Sequence, residues 1–503
     1  MIYSDVIISK SGLKIPLFID GKPMHSKYDP EKEAESLISS INKSDYFLVL
    51  GLGGGYHVKS LLKKYPEASV TVLENSQEDA NFLIKNIPCT AELAENSNVK
   101  ICFPENLTET ILNSFIPAAF SSFETVQNKP WCLFNARTAA SLSEKISGAM
   151  QLISADVSTQ SHFGLQWTKN IIQNLKFINE DKKITVPAEK TAAVIAAGPT
   201  LDCKIEILKK NRNDYYIIAT DTANKILLRN RITPDAVFSV DGQFVSVNHF
   251  LKQQETEKKS SGPLYIFELT ANHNAVKKVL KDSSDIIFTV SGHPLEVLAH
   301  RLSPKSFFIS DSSSGTVTIA AVDFALKTGF SKIDVFGADF SYSDGKSYAA
   351  GTYLDDIYSI KQKKTSSIQT AFSSLMYRTE LIKLTEEKST TKVLDSYRKA
   401  FEKWVTQNRA ECSMKDGIYK IKTENRACKS SFELKKFDYE GFIKTLRDNA
   451  AQNYSGTTEQ MLSEPSVKAL LPLIAWLKKQ NPAEKTFAEW VKLAFSHIVR
   501  YTV

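Results

Sequence analysis

Twice along this chain an apolar, strand-forming run leads into a glycine-bearing turn and then into an amphipathic helix, an order that leaves few folds open. The first instance is Tyr46 to Leu50, the turn Gly51 to Gly55, the helix Tyr56 to Lys64, and a second strand Ser69 to Leu73 ending in Glu74. Two strands separated by a helix-length segment need a crossover connection, so the alternation predicts a parallel sheet flanked by helices.

The second series begins at Thr191. It reads as strand over Ala192 to Ala197, turn at Gly198-Pro199-Thr200, helix from Leu201 to Lys210, strand Tyr215 to Ala219, helix Ala223 to Arg229 and strand Ala236 to Val240. Further strands are expected at Leu264 to Phe267, Ile286 to Val290 and Ile333 to Phe336, with an apolar helix at Val317 to Lys327. Ser121 to Asn179 reads as mainly helical, as do Ser359 to Lys388 and Thr390 to Arg409; Met414 to Lys422 reads as a short irregular stretch before helix to the C-terminus. The fold class is therefore α/β. Three segments follow: an N-terminal Rossmann-like domain over 1–180, a central α/β domain over 181–358 and a mainly helical region over 359–503.

Composition excludes several classes. Hydrophobic residues at 42% and charged residues at 24% fit a globular chain rather than a disordered or fibrous one. The net charge of +7 is spread without blocks of like sign, which suits an anionic ligand and gives no case for nucleic acid. No apolar run reaches the length of a membrane span, and Met1 to Lys14 lacks a signal-peptide layout, so a cytoplasmic protein is expected. The cysteines Cys89, Cys102, Cys132, Cys203, Cys412 and Cys428 contain no C-x-x-C pair, which predicts reduced, mostly buried thiols and no metal site.

Chemistry concentrates at the strand ends. Gly51, Gly53 and Gly55 with Glu74 form a possible second nucleotide-like site: bare amides at a helix start suit a phosphate, and an acid after the next strand suits ribose hydroxyls. The pattern resembles the fingerprint of S-adenosylmethionine-dependent methyltransferases, although any tight strand-to-helix turn also wants glycine. In the second series, Gly198 allows close approach of a ligand, Pro199 stiffens the turn, and Thr200 can cap a helix or donate a hydroxyl. Asp221 follows the next strand, as either a ligand contact or a helix cap. Asp241, with Gly242 and Gln243, follows the one after, as either a ligand contact or a turn acid.

Thr191 to Gln243, with AAGPTLD, ATDTANKIL and RITPDAVFSVDGQ, and the early stretch Met24 to Pro30 with Glu33-Ala34, resemble the motility accessory factor (Maf) flagellin glycosyltransferases, whose core is shared with 6-hydroxymethylpterin diphosphokinase. Ser314-Gly315-Thr316, Gly337-Ala338-Asp339-Phe340 and the pair Tyr342 and Tyr348 resemble a run of bacterial sialyltransferases. The resemblance implies a central sialyltransferase-type domain. Gly198, Pro199 and Thr200 would line CMP, Ser314, Gly315 and Thr316 would contact cytidine, and Tyr342 and Tyr348 would steady the leaving phosphate, with no metal or other cofactor. It implies transfer of a nonulosonic acid from its CMP conjugate to Ser/Thr of flagellin. The sialyltransferases place a histidine base after the tyrosines, but here no histidine occurs between His300 and His497. His249, His273 and His293 read as polar surface or loop histidines. The base then falls to an aspartate such as Asp241 or Asp339, or to an element that does not align. Two other readings stay open: a pyrophosphotransferase of the 6-hydroxymethylpterin diphosphokinase kind, and a non-enzymatic flagellin-binding factor.

Overall fold

A computed structural model describes residues 1–250, 262–281, 285–312, 315–362, 367–408, 410–423, 430–481 and 483–502, with residues 137–140 described by their backbone alone. Contacts divide the chain into two units, one joining 1–165 with 446–501 and the other holding 166–445.

In the first unit, β1 (Tyr3–Ile8) and β2 (Lys14–Phe18) form an antiparallel hairpin. A four-stranded parallel sheet follows in the order β5-β4-β3-β6, from β3 (Tyr46–Leu50), β4 (Ser69–Leu73), β5 (Val99–Cys102) and β6 (Phe123–Gln127). Every residue of β3 and β4 is buried, as expected of central parallel strands covered on both faces. β6 lies within the stretch that reads as helical. It pairs with β3 from Tyr46–Phe123 to Leu50–Gln127, and its half-exposed edge position explains why Phe-Glu-Thr-Val-Gln carries so little apolar signal. The returning C-terminal segment is helical, over Thr458–Ser463, Leu471–Gln480 and Phe487–Arg500. Thr486 and Glu489 close a reciprocal cap at the start of the last helix.

The second unit is built on a nine-stranded sheet, ordered β13-β12-β11-β10-β9-β8-β14-β19-β18. Its strands in chain order are β8 (Thr191–Ile195), β9 (Tyr215–Thr220), β10 (Ala236–Ser239), β11 (Leu264–Glu268), β12 (Ile286–Val290), β13 (Phe308–Ile309), β14 (Lys332–Phe336), β18 (Glu411–Lys415) and β19 (Ile418–Lys422). β8 through β14 run parallel, and β19 and β18 close the β14 edge in antiparallel fashion. Small additions are the pair of β7 (Lys182–Thr185) with β20 (Ser431–Leu434), and a three-stranded piece of β15 (Tyr342–Ser343), β17 (Lys388–Thr390) and β16 (Ile382–Lys383).

The β18–β19 hairpin replaces the irregular stretch expected at Met414 to Lys422. Its turn is Asp416-Gly417, both in the left-handed region (φ 53° and 71°), the pairing that a two-residue hairpin turn demands. Helix between Ser359 and Lys388 is likewise interrupted: helices occupy Tyr353–Lys361 and Ile368–Met376, and β16 and β17 follow before Lys392–Gln407.

Alternate residues of β8 and β9 face opposite sides of the sheet. Ala192, Val194 and Ile218 pack with Phe324 of the helix Val317–Lys327 on one side; Ala193, Ile195 and Ile217 pack with Leu201, Leu208 and Ile226 on the other. Thr318 through Leu326 are all buried, so that helix is an internal layer of the unit. Of the cysteines, Cys89 and Cys102 are buried, whereas Cys203 and Cys412 are exposed, contrary to the expectation of mostly buried thiols; all are unpaired, and Cys428 lies outside the described residues.

Candidate functional site

The large sheet changes its direction of growth at β8. β9 to β13 are added on one side and β14 on the other, which makes the crevice beyond the carboxyl ends of β8 and β14 the expected place for a ligand. The turn after β8 is Gly198-Pro199-Thr200, and the loop after β14 carries Gly337 and Asp339. The two are tied together: the Gly198 amide donates to the Gly337 carbonyl at 2.8 Å, and the Asp339 carboxylate accepts from the Thr200 amide at 2.8 Å and the Thr200 hydroxyl at 2.5 Å. A Cβ on Gly198 would fall against the Gly337 carbonyl and the Asp339 carboxylate, so the glycine is required by neighbouring protein rather than by the approach of a ligand.

The tyrosine loop docks on the same turn. The Ala349 amide donates to the Ala197 carbonyl at 2.9 Å, while Asp202 holds the Ala350 amide at 2.9 Å and the Lys346 ammonium at 3.0 Å. Tyr348, 38% exposed, sits where burial of its hydroxyl, then Tyr342 and Asp221, raise its pKa; burial also raises that of Tyr342. Asp221 is buried at the first position of the helix Asp221–Arg229, with Thr220 as the actual cap; its oxygens accept from the Thr222 amide at 2.6 Å and the Ser239 hydroxyl at 2.7 Å. Asp241 accepts from the Gln243 amide at 2.8 Å, and Gln243 itself is exposed. Burial, then the charge of Asp221, push the Asp241 carboxyl up, while His249 works against the shift.

The remaining expected residues lie further along the sheet edge. Gly315 adopts φ 73°, and Thr316 caps the helix Val317–Lys327 through the Ile319 amide; Ser314 lies outside the described residues. Beside them, at the end of β11, Glu268 accepts from the Ser312 hydroxyl at 2.9 and 3.0 Å and from the Ser291 hydroxyl. Glu296 accepts from the Thr270 amide at 3.0 Å and the Ser291 amide at 3.1 Å. Burial and mutual repulsion hold Glu296 well above the usual carboxylate range, and burial raises Glu268. No group of three or more His, Cys, Asp or Glu suited to a metal ion occurs among the described residues.

In the first unit, the protein's own side chains occupy the glycine turn. A Cβ on Gly51 would meet Trp131 at 2.5 Å, and one on Gly53 would meet the Met24 sulfur at 2.6 Å and His25 at 2.7 Å. Glu74, fully buried, accepts from the Leu52 amide (3.0 Å), the Asn75 amide (2.7 Å), the Trp131 indole (2.7 Å) and the Tyr3 hydroxyl (3.2 Å). The Gly54 amide donates to His25 Nε2 at 2.8 Å. The amides and the acid that a phosphate and a ribose would need are thus already bonded within the fold.

Residues 166–345 match the family described as 6-hydroxymethylpterin diphosphokinase MptE-like. An uncharacterized protein of Treponema pallidum (strain Nichols) is 31% identical over 141 residues, covering 28% of this chain and 67% of the relative. The chain belongs to the MptE-like family. A second uncharacterized protein of that organism is 29% identical to this MptE-like chain over 240 residues, covering 47% of the chain and 75% of the relative. Beyond the MptE-like segment, the chain is similar to a structure described as that of the Maf glycosyltransferase from Magnetospirillum magneticum AMB-1. The TM-score is 0.57 at 15% identity, over 99% of this chain and 87% of that one, and the likeness is one of fold.

Several residues of this MptE-like unit escape the sequence reading. His249, read as a surface or loop histidine, is buried; its ring meets that of Tyr353 edge-on at 4.7 Å, and its Nδ1 has no hydrogen-bond partner among the described residues. His293, also read as a surface or loop histidine, caps a helix through the Leu295 amide, and burial pushes it down to about 3. Tyr353 belongs to a helix that Asp356 fastens to Lys225 and Arg229. Burial pushes its hydroxyl up to about 12, with Tyr348 and Asp241 adding to the effect. Glu268 is open to the same strand-end rule that picks Asp221 and Asp241, because it ends β11 as they follow β9 and β10.

Proposed function

We propose that the chain is a glycosyltransferase that moves a nonulosonic acid from its CMP conjugate to Ser/Thr hydroxyls of a protein, flagellin being the acceptor in view. The observation that carries the reading is the docking of the Tyr342–Tyr348 loop on the Gly198 turn, through Ala349 and Asp202, beside Asp221 and Asp241. Neutral hydroxyl donors and carboxylates then share one sheet edge. In the proposed reaction the bond from the anomeric carbon to the CMP phosphate breaks, and charge grows on the departing phosphate. Donors placed there favour the transition state over the ground state without a metal. Tyr342 and Tyr348 take that part. Asp241, whose raised pKa suits proton transfer, accepts the proton of the acceptor hydroxyl beside His249. Asp339 orders the nucleotide turn by bonding Thr200. The glycosyltransferase named in the structural likeness supports the same reading.

The family description favours a second reading, pyrophosphoryl transfer from ATP to a hydroxymethylpterin. Thermal unfolding of the full chain with CMP, with a CMP-nonulosonate and with Mg·ATP separates the two, because a ligand that binds only the folded state raises the midpoint. The proposal expects CMP and its conjugate to stabilise the protein equally in EDTA. Stabilisation by Mg·ATP alone favours the second reading, and no effect of any nucleotide would leave a non-enzymatic flagellin-binding role.

A further inference from the structure

The nine-stranded sheet of the second unit ends in two unlike edges. β13 is two residues long, whereas β18 offers five, Glu411–Lys415, all exposed and without proline. Its register with β19 runs evenly from Glu411–Lys422 to Lys415–Ile418, with no bulge to turn the edge away. Among the described residues, no group beyond the hairpin hydrogen-bonds to these five. An open edge of this kind is a template for another strand.

The turn settles which backbone groups face outward. A two-residue turn is closed by a hydrogen-bonded pair, here Lys415 and Ile418, and bonded and non-bonded pairs alternate from there. Glu411, Ser413 and Lys415 therefore bond inward to β19, and the amides and carbonyls of Cys412 and Met414 point away from it. The side chains divide in the same way. Cys412 and Met414 share a face with their partners Ile421 and Tyr419, which pack with Phe401 and Trp404 of the helix Lys392–Gln407. Met414 is nonetheless 60% exposed, so this face carries apolar surface out to the edge. Glu411, Ser413 and Lys415 stand on the opposite face, and neither Glu411 nor Lys415 has an ion-pair partner among the described residues.

We propose that β18 pairs with β18 of a second copy of this chain, antiparallel about a twofold axis through Ser413, so that the two large sheets become one. The strand is self-complementary in that register. Glu411 falls opposite Lys415 of the second copy, Cys412 opposite its Met414, and Ser413 opposite its Ser413. Each Cys412–Met414 pair exchanges backbone hydrogen bonds, because those are the residues whose groups face outward. On one face each charge meets its opposite, and on the other Cys412 and Met414 cover each other. An axis through Cys412 or Met414 instead leaves Glu411 and Lys415 without a charge opposite, so charge selects the register centred on Ser413.

The test is sedimentation of the full chain over a range of concentrations, for the wild type, Lys415→Glu, Glu411→Lys and the double variant Glu411→Lys/Lys415→Glu. A reversible monomer–dimer equilibrium is expected for the wild type. Each single variant sets like charges face to face and should weaken the dimer roughly tenfold, while the double variant exchanges the charges and should restore it. Ser413→Cys in a Cys412→Ser background gives a second readout. A non-hydrogen-bonded pair brings the two α-carbons to about 4.5 Å, within reach of a disulfide, so mild oxidation should link the copies at position 413. A monomer at every concentration leaves the edge to an extended segment of another protein and overturns the proposal. So does a dimer indifferent to the single charge reversals, or a double variant that stays dissociated. The readout needs no substrate and is independent of glycosyl transfer.

Discussion

Asp339 accepts both the amide and the hydroxyl of Thr200, at 2.8 and 2.5 Å, and so joins the loop after β14 to the turn after β8 across the point where the large sheet reverses. Asp339→Ala removes both bonds. Leaving a partly buried amide and hydroxyl unpaired costs about 1 to 3 kcal/mol, and Asp339→Asn, which keeps one acceptor, should lose less. Urea unfolding of the two variants checks the order; an Asp339→Ala midpoint equal to the wild type contradicts it.

Gly198 is expected to matter for folding before it matters for binding. The added Cβ of Gly198→Ala meets the Gly337 backbone carbonyl and the Asp339 carboxylate, a side-chain end held in place by its two bonds to Thr200. A loss of about 1 to 3 kcal/mol is expected from such overpacking, and more for leucine. The check is the denaturation midpoint. Wild-type stability in Gly198→Ala would show that the β8 and β14 loops separate readily.

The buried pair Glu268 and Glu296 should make stability depend on pH. Burial, then Glu268, raise the Glu296 pKa in the folded state, so the native chain holds a proton that the unfolded chain releases above about pH 4.3. The unfolded state then binds fewer protons, and stability falls as pH rises from there through the folded-state value. Urea midpoints should drop as pH rises above about 4.3 in the wild type, with a flatter profile in Glu296→Gln. A slope unchanged by that substitution counts against the assignment.

The first glycine turn should be inert toward a phosphate-bearing nucleotide. Gly53→Ala presses on Met24 and His25 and should lower stability by about 1 to 3 kcal/mol, the cost of overpacking. Inorganic triphosphate should leave the chemical shifts of His25 and His57 in 15N-histidine spectra unchanged, and a saturable movement would reopen the turn as a phosphate site.

What the sequence discloses follows its periodicities. Strand-turn-helix order reveals both parallel sheets, because buried runs such as Tyr-Phe-Leu-Val-Leu at 46–50 are apolar throughout and Ile-Ile-Phe-Thr-Val at 286–290 is apolar but for Thr289. It conceals β6, whose half-exposed edge position tolerates Glu124 and Gln127, and it passes over β18–β19 although Asp416-Gly417 is a hairpin signal. At the candidate site, Asp221 and Asp241 are legible as strand-end acids. The bond from Thr200 to Asp339 is not, because 139 residues separate the partners and topology alone brings them together. His249 is hidden for a related reason: a lone histidine carries no sign of burial of its own, and its partner Tyr353 comes from a helix about a hundred residues later.

The most direct test of donor chemistry at this sheet edge is steady-state release of CMP from a CMP-nonulosonate by the wild type, Tyr342→Phe and Tyr348→Phe, with CMP affinity measured in parallel. Each hydroxyl is expected to contribute about 2 to 4 kcal/mol in the transition state, roughly thirtyfold to a thousandfold in rate, with little change in CMP affinity. Wild-type turnover in both variants, or a wild type that neither binds CMP nor releases it, would contradict the account.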